Sequence, residues 1–199
     1  RLEAIVAASY ANDPRAAIIA TRALDKEFNA YHRHALTKTL NATQPLWAPE
    51  IIKGTLAFDQ DDHLIFALQN GWVENNVSDL LAREFADDQR PNADAKAAEI
   101  MRAQIAKHAK DTERMERWLQ AFAAIAGAQD MPFLFQKAGD SARVLGAIRS
   151  PKPEGAEALL TPLFDSARPE LRTQGIRLAG LWKVSAFADR IRPLALEQN

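Results

Sequence analysis

Helix start and stop signals recur along this chain at short intervals, and they confine it to an architecture of many short helices. Asp13–Pro14 joins a capping side chain to the residue favoured in a first helical turn. Asp130–Met131–Pro132 and Arg168–Pro169 follow the same logic. Gly54, Gly71 and Gly139 fall where helices are expected to stop. Good helix formers (alanine, leucine, glutamate, arginine) are abundant, and alternating β-branched runs are nearly absent. Only Thr55–Asp59, "TLAFD", reads as a short extended segment. Apolar spacing predicts helices over 2–11, 14–25, 28–41, 46–53, 61–70, 74–86, 93–109, 111–126, 131–138, 141–149, 154–166, 169–183 and 186–197, some of which can merge. Pro162, inside "ALLTPLF", predicts a kink or a break.

Short helices joined by short turns invite a search for repeats. "RTQGIRLAGLWKVSAFADRIRPLAL", from Arg172, and "RLEAIVAASYANDPRAAIIATRAL", from Arg1, share a pattern: arginine, an isoleucine, an alanine, a break, then an alanine-rich amphipathic helix. Further copies begin at Arg143 and, more weakly, at Arg117, so the last three lie 26 and 29 residues apart. That spacing fits a helix, a turn and an antiparallel helix. One such pair cannot bury its own apolar face, so pairs must stack.

The bulk numbers narrow the function. Hydrophobic residues make up 47% and charged residues 26%, ordinary values for a globular chain. Lys+Arg 25 against Asp+Glu 26 leaves a formal charge of −1, poor support for nucleic-acid binding. No apolar run approaches the roughly 18 residues of a transmembrane helix, and no stretch of the given sequence reads as a signal peptide, which would be expected outside it. With no cysteine, disulfides, thiolate metal sites and C-x-x-C-H haem attachment are excluded. The chain starts at Arg1, already in a helical pattern, and reads as a piece of a longer protein.

Individual residues offer little chemistry. His32 and His34 are two apart and point to different helix faces, so they cannot share a metal unaided. Asp59, Asp61 and Asp62 before His63 lack the glycine turn and distal glutamate of a calcium loop, and capping by Asp61 or Asp62 explains them better. His108 sits near a helix C-terminus. No nucleophile elbow, P-loop, H-E-x-x-H or dinucleotide fingerprint occurs. Trp47, Trp72, Trp118 and Trp182 could stack a base or a sugar, but they recur at helix-pair junctions and read rather as core anchors, Trp182 with Ile176, Leu178 and Leu181. In "ATQPLWAPEIIKG", Pro45 and Pro49 are expected to start a helix at a corner, with Trp47 wedged against the next pair.

Leu36–Leu68, "LTKTLNATQPLWAPEIIKGTLAFDQDDHLIFAL", carries the sharpest pattern. A helix ending in Leu40 is followed by Pro45-x-Trp47-x-Pro49, Gly54, Phe58–Asp59 and a helix with Leu64, Phe66, Ala67 and Leu68. This resembles a segment of the large multidomain bacterial proteins called membrane-bound dehydrogenases. The residues before it resemble the same family, and the closing "RLAGLWKV" resembles its HEAT-like repeats. Gln60–Asp61 departs from the glycine-aspartate turn that often follows the Phe-Asp pair there.

The resemblance implies a position between a β-propeller, similar to quinone-dependent sugar dehydrogenases, and a c-type cytochrome domain, in an extracytoplasmic setting. Haem c and a quinone would then belong to other domains, and this chain would hold no cofactor and no metal. The expected fold is all-α, a right-handed superhelical HEAT/ARM-like solenoid of antiparallel pairs over 1–199, with a subdivision near 89–92. The expected role is a non-catalytic spacer or docking scaffold, with no catalytic residue and with neighbouring domains or another protein as partners. Two alternatives stay open. One is a HEAT-like DNA- or peptide-binding module similar to alkyl-purine DNA glycosylases, for which Arg1, Arg22, Arg143, Arg172, Arg177, Arg190 and Arg192 would have to cluster. The other is a small helical hydrolase or lyase with an unrecognised site.

Overall fold

In the computed structural model, which describes residues 1–71 and 95–196, every secondary-structure element among the described residues is helical. The chain divides into two compact units, Arg1–Ile100 and Met101–Asn199. The helix predicted over 74–86, the break expected at 89–92 and Trp72 lie outside the described residues.

The first unit contains α1 (Leu2–Ala8), α2 (Arg15–Thr21) with a 3-10 turn (Arg22–Asp25), α3 (Ala30–Lys53) and α4 (Asp61–Asn70). Helix α3 is the spine, and α1, α2 and α4 all pack on it. Its 24 residues correct the corner expected at Pro45 and Pro49, because the helix continues unbroken through both prolines. The physical reason is their spacing. Four residues apart, Pro45 and Pro49 both lie exposed, so the missing N–H donors and the rings fall on the solvent side. The opposite face holds the helix in place: Leu36, Leu40, Thr43, Trp47 and Ala48 are buried. Trp47 is fully buried, and its Nε1–H donates to the Leu40 carbonyl at 3.0 Å.

Helix α3 ends at Gly54, whose φ of 73° is the left-handed conformation expected of a C-terminal glycine. Thr55–Asp59 then runs as irregular chain rather than a strand. Its Phe58 packs edge-on against Trp47, ring centres 5.9 Å apart. Gly71, just past α4, is needed for close approach: a Cβ there would stand 2.6 Å from Leu40 Cβ. Ile5, Ala17, Ala20, Leu36, Leu40, Trp47, Phe66 and Ala67 form the core of this unit.

Helix α5 (Ala95–Lys107) precedes the short helices of the second unit: α6 (Thr112–Ala123), α7 (Met131–Ala138), α8 (Ala142–Ala147), α9 (Ala156–Phe164), α10 (Pro169–Leu181) and α11 (Ala188–Leu196). Helices α6, α8 and α10 touch in succession, α7 packs on α6 and α8, and α9 packs on α10. Trp118, Phe122, Leu134, Val144, Leu145, Leu160, Leu178 and Trp182 are buried. Helix α9 continues through Pro162 and stops two residues later, at Phe164. Leu181, expected beside Trp182 on the apolar stripe, is instead 45% exposed.

Candidate functional site

Helices α1 and α3 meet along their length, tied by the Thr39 hydroxyl, which donates to the Ile5 carbonyl at 3.0 Å. Above that contact an open groove of about 770 Å³ separates them. Leu2 and Val6, at i,i+4 on α1, form one wall. Tyr31, Ala35 and Lys38, at i,i+4,i+7 on α3, form the other, with His34 beside them. Leu2 is 39% exposed, Val6 42% and Tyr31 78%, so the groove leaves large apolar groups in water. Among the described residues no carboxylate lines it.

A polar cluster joins α4 to the 3-10 turn. His63 is 1% exposed, and its Nε2 lies 2.8 Å from Asp25 Oδ1, which also accepts from Gln60 Nε2 at 3.1 Å. Nearby, Arg22 Nε donates to Asp59 Oδ2 at 2.7 Å. The Arg22 guanidinium holds the Asp59 carboxyl below the usual carboxylate range, chiefly through that hydrogen bond. An imidazole oriented by a carboxylate has the raw material of a general base. Here, however, one ring nitrogen is committed to Asp25 and the other, Nδ1, is buried without a partner. The buried ring thus ties α4 to the 3-10 turn as a staple between two elements.

In the second unit the Ser141 hydroxyl donates to Glu116 Oε1 at 2.5 Å and accepts from the Val144 N–H at 3.3 Å, capping α8. These residues border a cavity of about 370 Å³ with Lys137, Asp140, Arg143 and Arg168. Arg168 Nη1 donates to Asp140 Oδ2 at 2.6 Å. A serine engaged on both sides, with no histidine beside it, is not an activated nucleophile.

The residues singled out in the sequence fall mostly into packing. Trp47, Phe58 and Phe66 belong to the core of the first unit, Leu68 is 2% exposed, and Phe66 meets Phe28 edge-on at 6.0 Å. Pro45 and Pro49 lie on the solvent face of α3, Gly54 caps it, and Asp59 pairs with Arg22. His32 stacks on Phe28 while His34 borders the groove, so the two do not meet a common ligand. Among the described residues no group of three or more His, Asp or Glu side chains is placed to hold a metal ion. Asp61 and Asp62 occupy the first turn of α4, but the cap position falls on Gln60.

Six of the seven arginines that a nucleic-acid surface would recruit are engaged within their own chain. Arg1 donates to the Glu27 carbonyl, and Arg22, Arg190 and Arg192 face Asp59, Asp165 and Asp189. Arg172 donates to the Ser166 and Ala167 carbonyls, and Arg177 to those of Leu145 and Ile148. Burial, and then the charge of Arg149, push the Arg177 guanidinium below its ordinary value.

Sequence reasoning missed the groove and the His63–Asp25 pair. The groove left a trace, since Leu2 and Val6 repeat at i,i+4 in the helix predicted over 2–11. The pair left none, because 38 residues separate its members. No family model, no curated protein and no solved structure matches the chain.

Proposed function

We propose that the chain is a non-catalytic helical scaffold, built as a HEAT-like stack of helix pairs, that holds other domains or a partner in a fixed relation. The observation that carries this reading is the row formed by α6, α8 and α10, each touching the next. They begin at Thr112, Ala142 and Pro169, about 30 residues apart, the interval at which helix pairs stack. The absence of an exposed, activated side chain in either polar cluster supports a structural role. So does the fate of the aromatic side chains of Leu36–Leu68, since Trp47, Phe58 and Phe66 all pack in the core of the first unit.

The resemblance of Leu36–Leu68 to the dehydrogenase family supplies the setting: a propeller that oxidises substrate, a cytochrome that accepts electrons, and this chain between them. The mechanism is then geometric. A stack with its own core keeps donor and acceptor at a constant separation, and electron transfer depends on that separation.

The test starts from the coding sequence on either side, where a propeller upstream and C-x-x-C-H downstream are expected. Electron transfer from substrate to haem is then compared in the intact protein and in one with this segment replaced by a flexible linker. Slower transfer in the linker version is the expected result. An unchanged rate, or flanking sequence that encodes neither domain, rejects the dehydrogenase setting.

A further inference from the structure

We infer that the groove between α1 and α3 seats an amphipathic helix that carries acidic residues beside its apolar stripe. This rests on the scaffold reading and names the chemistry of the partner it holds.

The shape argues for a helix. Each wall is a single side-chain stripe along a helix: Leu2 and Val6 one turn apart on α1, and Tyr31, Ala35 and Lys38 on successive turns of α3. Two helices in contact leave a trough in which a third can lie at about 8–10 Å from each axis, as in helix-in-groove recognition. The α3 wall spans two turns between Tyr31 and Lys38, which matches anchors at i, i+4 and i+7 on the incoming helix. The surface gives such a helix something to bury, since Leu2, Val6 and Tyr31 stand well exposed.

The charge argues for acidity. Lys38 is the cation on the α3 wall, and among the described residues no Asp or Glu lines the groove to answer it. Lys38 makes no salt bridge among the described residues. Leu2 and Val6 would cover the apolar stripe of the incoming helix while its carboxylates reach Lys38. A cationic helix would meet Lys38 with like charge, which is how such a site discriminates.

The experiment uses two labelled synthetic helical peptides of about 18 residues, with the same leucine stripe flanked by glutamate in one and lysine in the other. Fluorescence anisotropy titration against the whole chain reads their affinities. The glutamate peptide is expected to bind about tenfold more tightly than the lysine peptide. Lys38→Glu should reverse the order. Val6→Lys should abolish both while leaving the far-ultraviolet circular dichroism unchanged, because Val6 already faces water. Equal affinities, no binding up to millimolar peptide, or indifference to Val6→Lys would overturn the inference. So would a chain dimer, seen by sedimentation, that Val6→Lys dissociates, since the occupant would then be a second copy. Peptide titration and linker replacement fail separately: silent peptides with linker-sensitive electron transfer remove only this inference.

Discussion

The two units solve the same problem in opposite ways. Every helix end leaves four backbone groups without intrahelical partners. The first unit limits its ends by running one 24-residue helix, α3, through the middle and packing three others on it. The second is cut into pieces as short as the six residues of α8, so its ends are many. Long side chains there reach across to close them. Arg177 binds the Leu145 and Ile148 carbonyls at the end of α8, Arg172 binds those of Ser166 and Ala167, and Trp182 Nε1–H donates to the Ser150 carbonyl at 3.0 Å. The first unit thus depends on apolar contact along a spine, and the second on polar clasps between pieces.

The comparison breaks most readily at Trp47. Trp47→Ala removes a fully buried side chain, its edge contact with Phe58 and its bond to Leu40, and should cost about 3–5 kcal/mol. Urea unfolding followed by circular dichroism would measure it. An unchanged midpoint would mean that the spine is not what holds the first unit. The counterpart is Arg102. It is paired with Asp130, which is 1% exposed and also accepts from the Gly127 N–H at 2.9 Å, and its guanidinium lies over the Phe122 and Phe133 rings. Arg102→Ala leaves a buried carboxylate without its cation. Because Arg102 itself is 40% exposed, the expected loss is about 2–3 kcal/mol, below that of a fully buried pair. Arg102→Lys should recover part of it; equal losses for Ala and Lys would show that the planar, ring-stacked guanidinium matters more than the charge.

A smaller effect of opposite sign is expected at Pro45. Its ring faces solvent, and Pro45→Ala restores a donor for the Asn41 carbonyl and a better helix former. The unfolded chain gains freedom in exchange, so the net stabilisation is about 1–2 kcal/mol. Destabilisation in the same urea assay would show that the proline bends α3 into a shape the core requires.

These predictions follow the line between what the sequence made legible and what it hid. The helical class was readable from local signals: Asp13 accepts the Arg15 N–H at 2.8 Å, Gly54 takes the left-handed conformation, and Trp118, Leu119 and Phe122 are buried on one stripe. The course of α3 was not. Proline rules judge one residue at a time, and the outcome depended on both prolines falling on the solvent face, which packing by Trp47 and Ala48 decides. Asp130 shows the same limit. Its position before Met131–Pro132 reads as a helix cap, yet burial makes it the partner of Arg102, 28 residues away. For the candidate site even less was readable, because a groove is made by what two helices leave unfilled.

The smallest expected effect is at a helix start in the first unit, where ends should matter least. Asp13, just before the Pro14 cap position of α2, closes the helix start by accepting the Arg15 N–H; hydrogen bonds from the Arg15 side chain, then from that N–H, hold its carboxyl down at about 2, against an ordinary 3.8. A folded-state value below the unfolded one means that the cap contributes fully above pH 3.8 and is lost as the pH falls from 3.8 towards 2. The Asn29 side chain caps α3 by accepting the His32 N–H at 3.1 Å, and an amide does not titrate. Following the two amide resonances by NMR during acid titration should therefore separate them. The Arg15 amide shifts with a midpoint near 2 as α2 frays, while the His32 amide shows no matching step. Both amides shifting together would mean that α2 and α3 come apart as one body, and that the first unit leans on its helix ends as much as the second does.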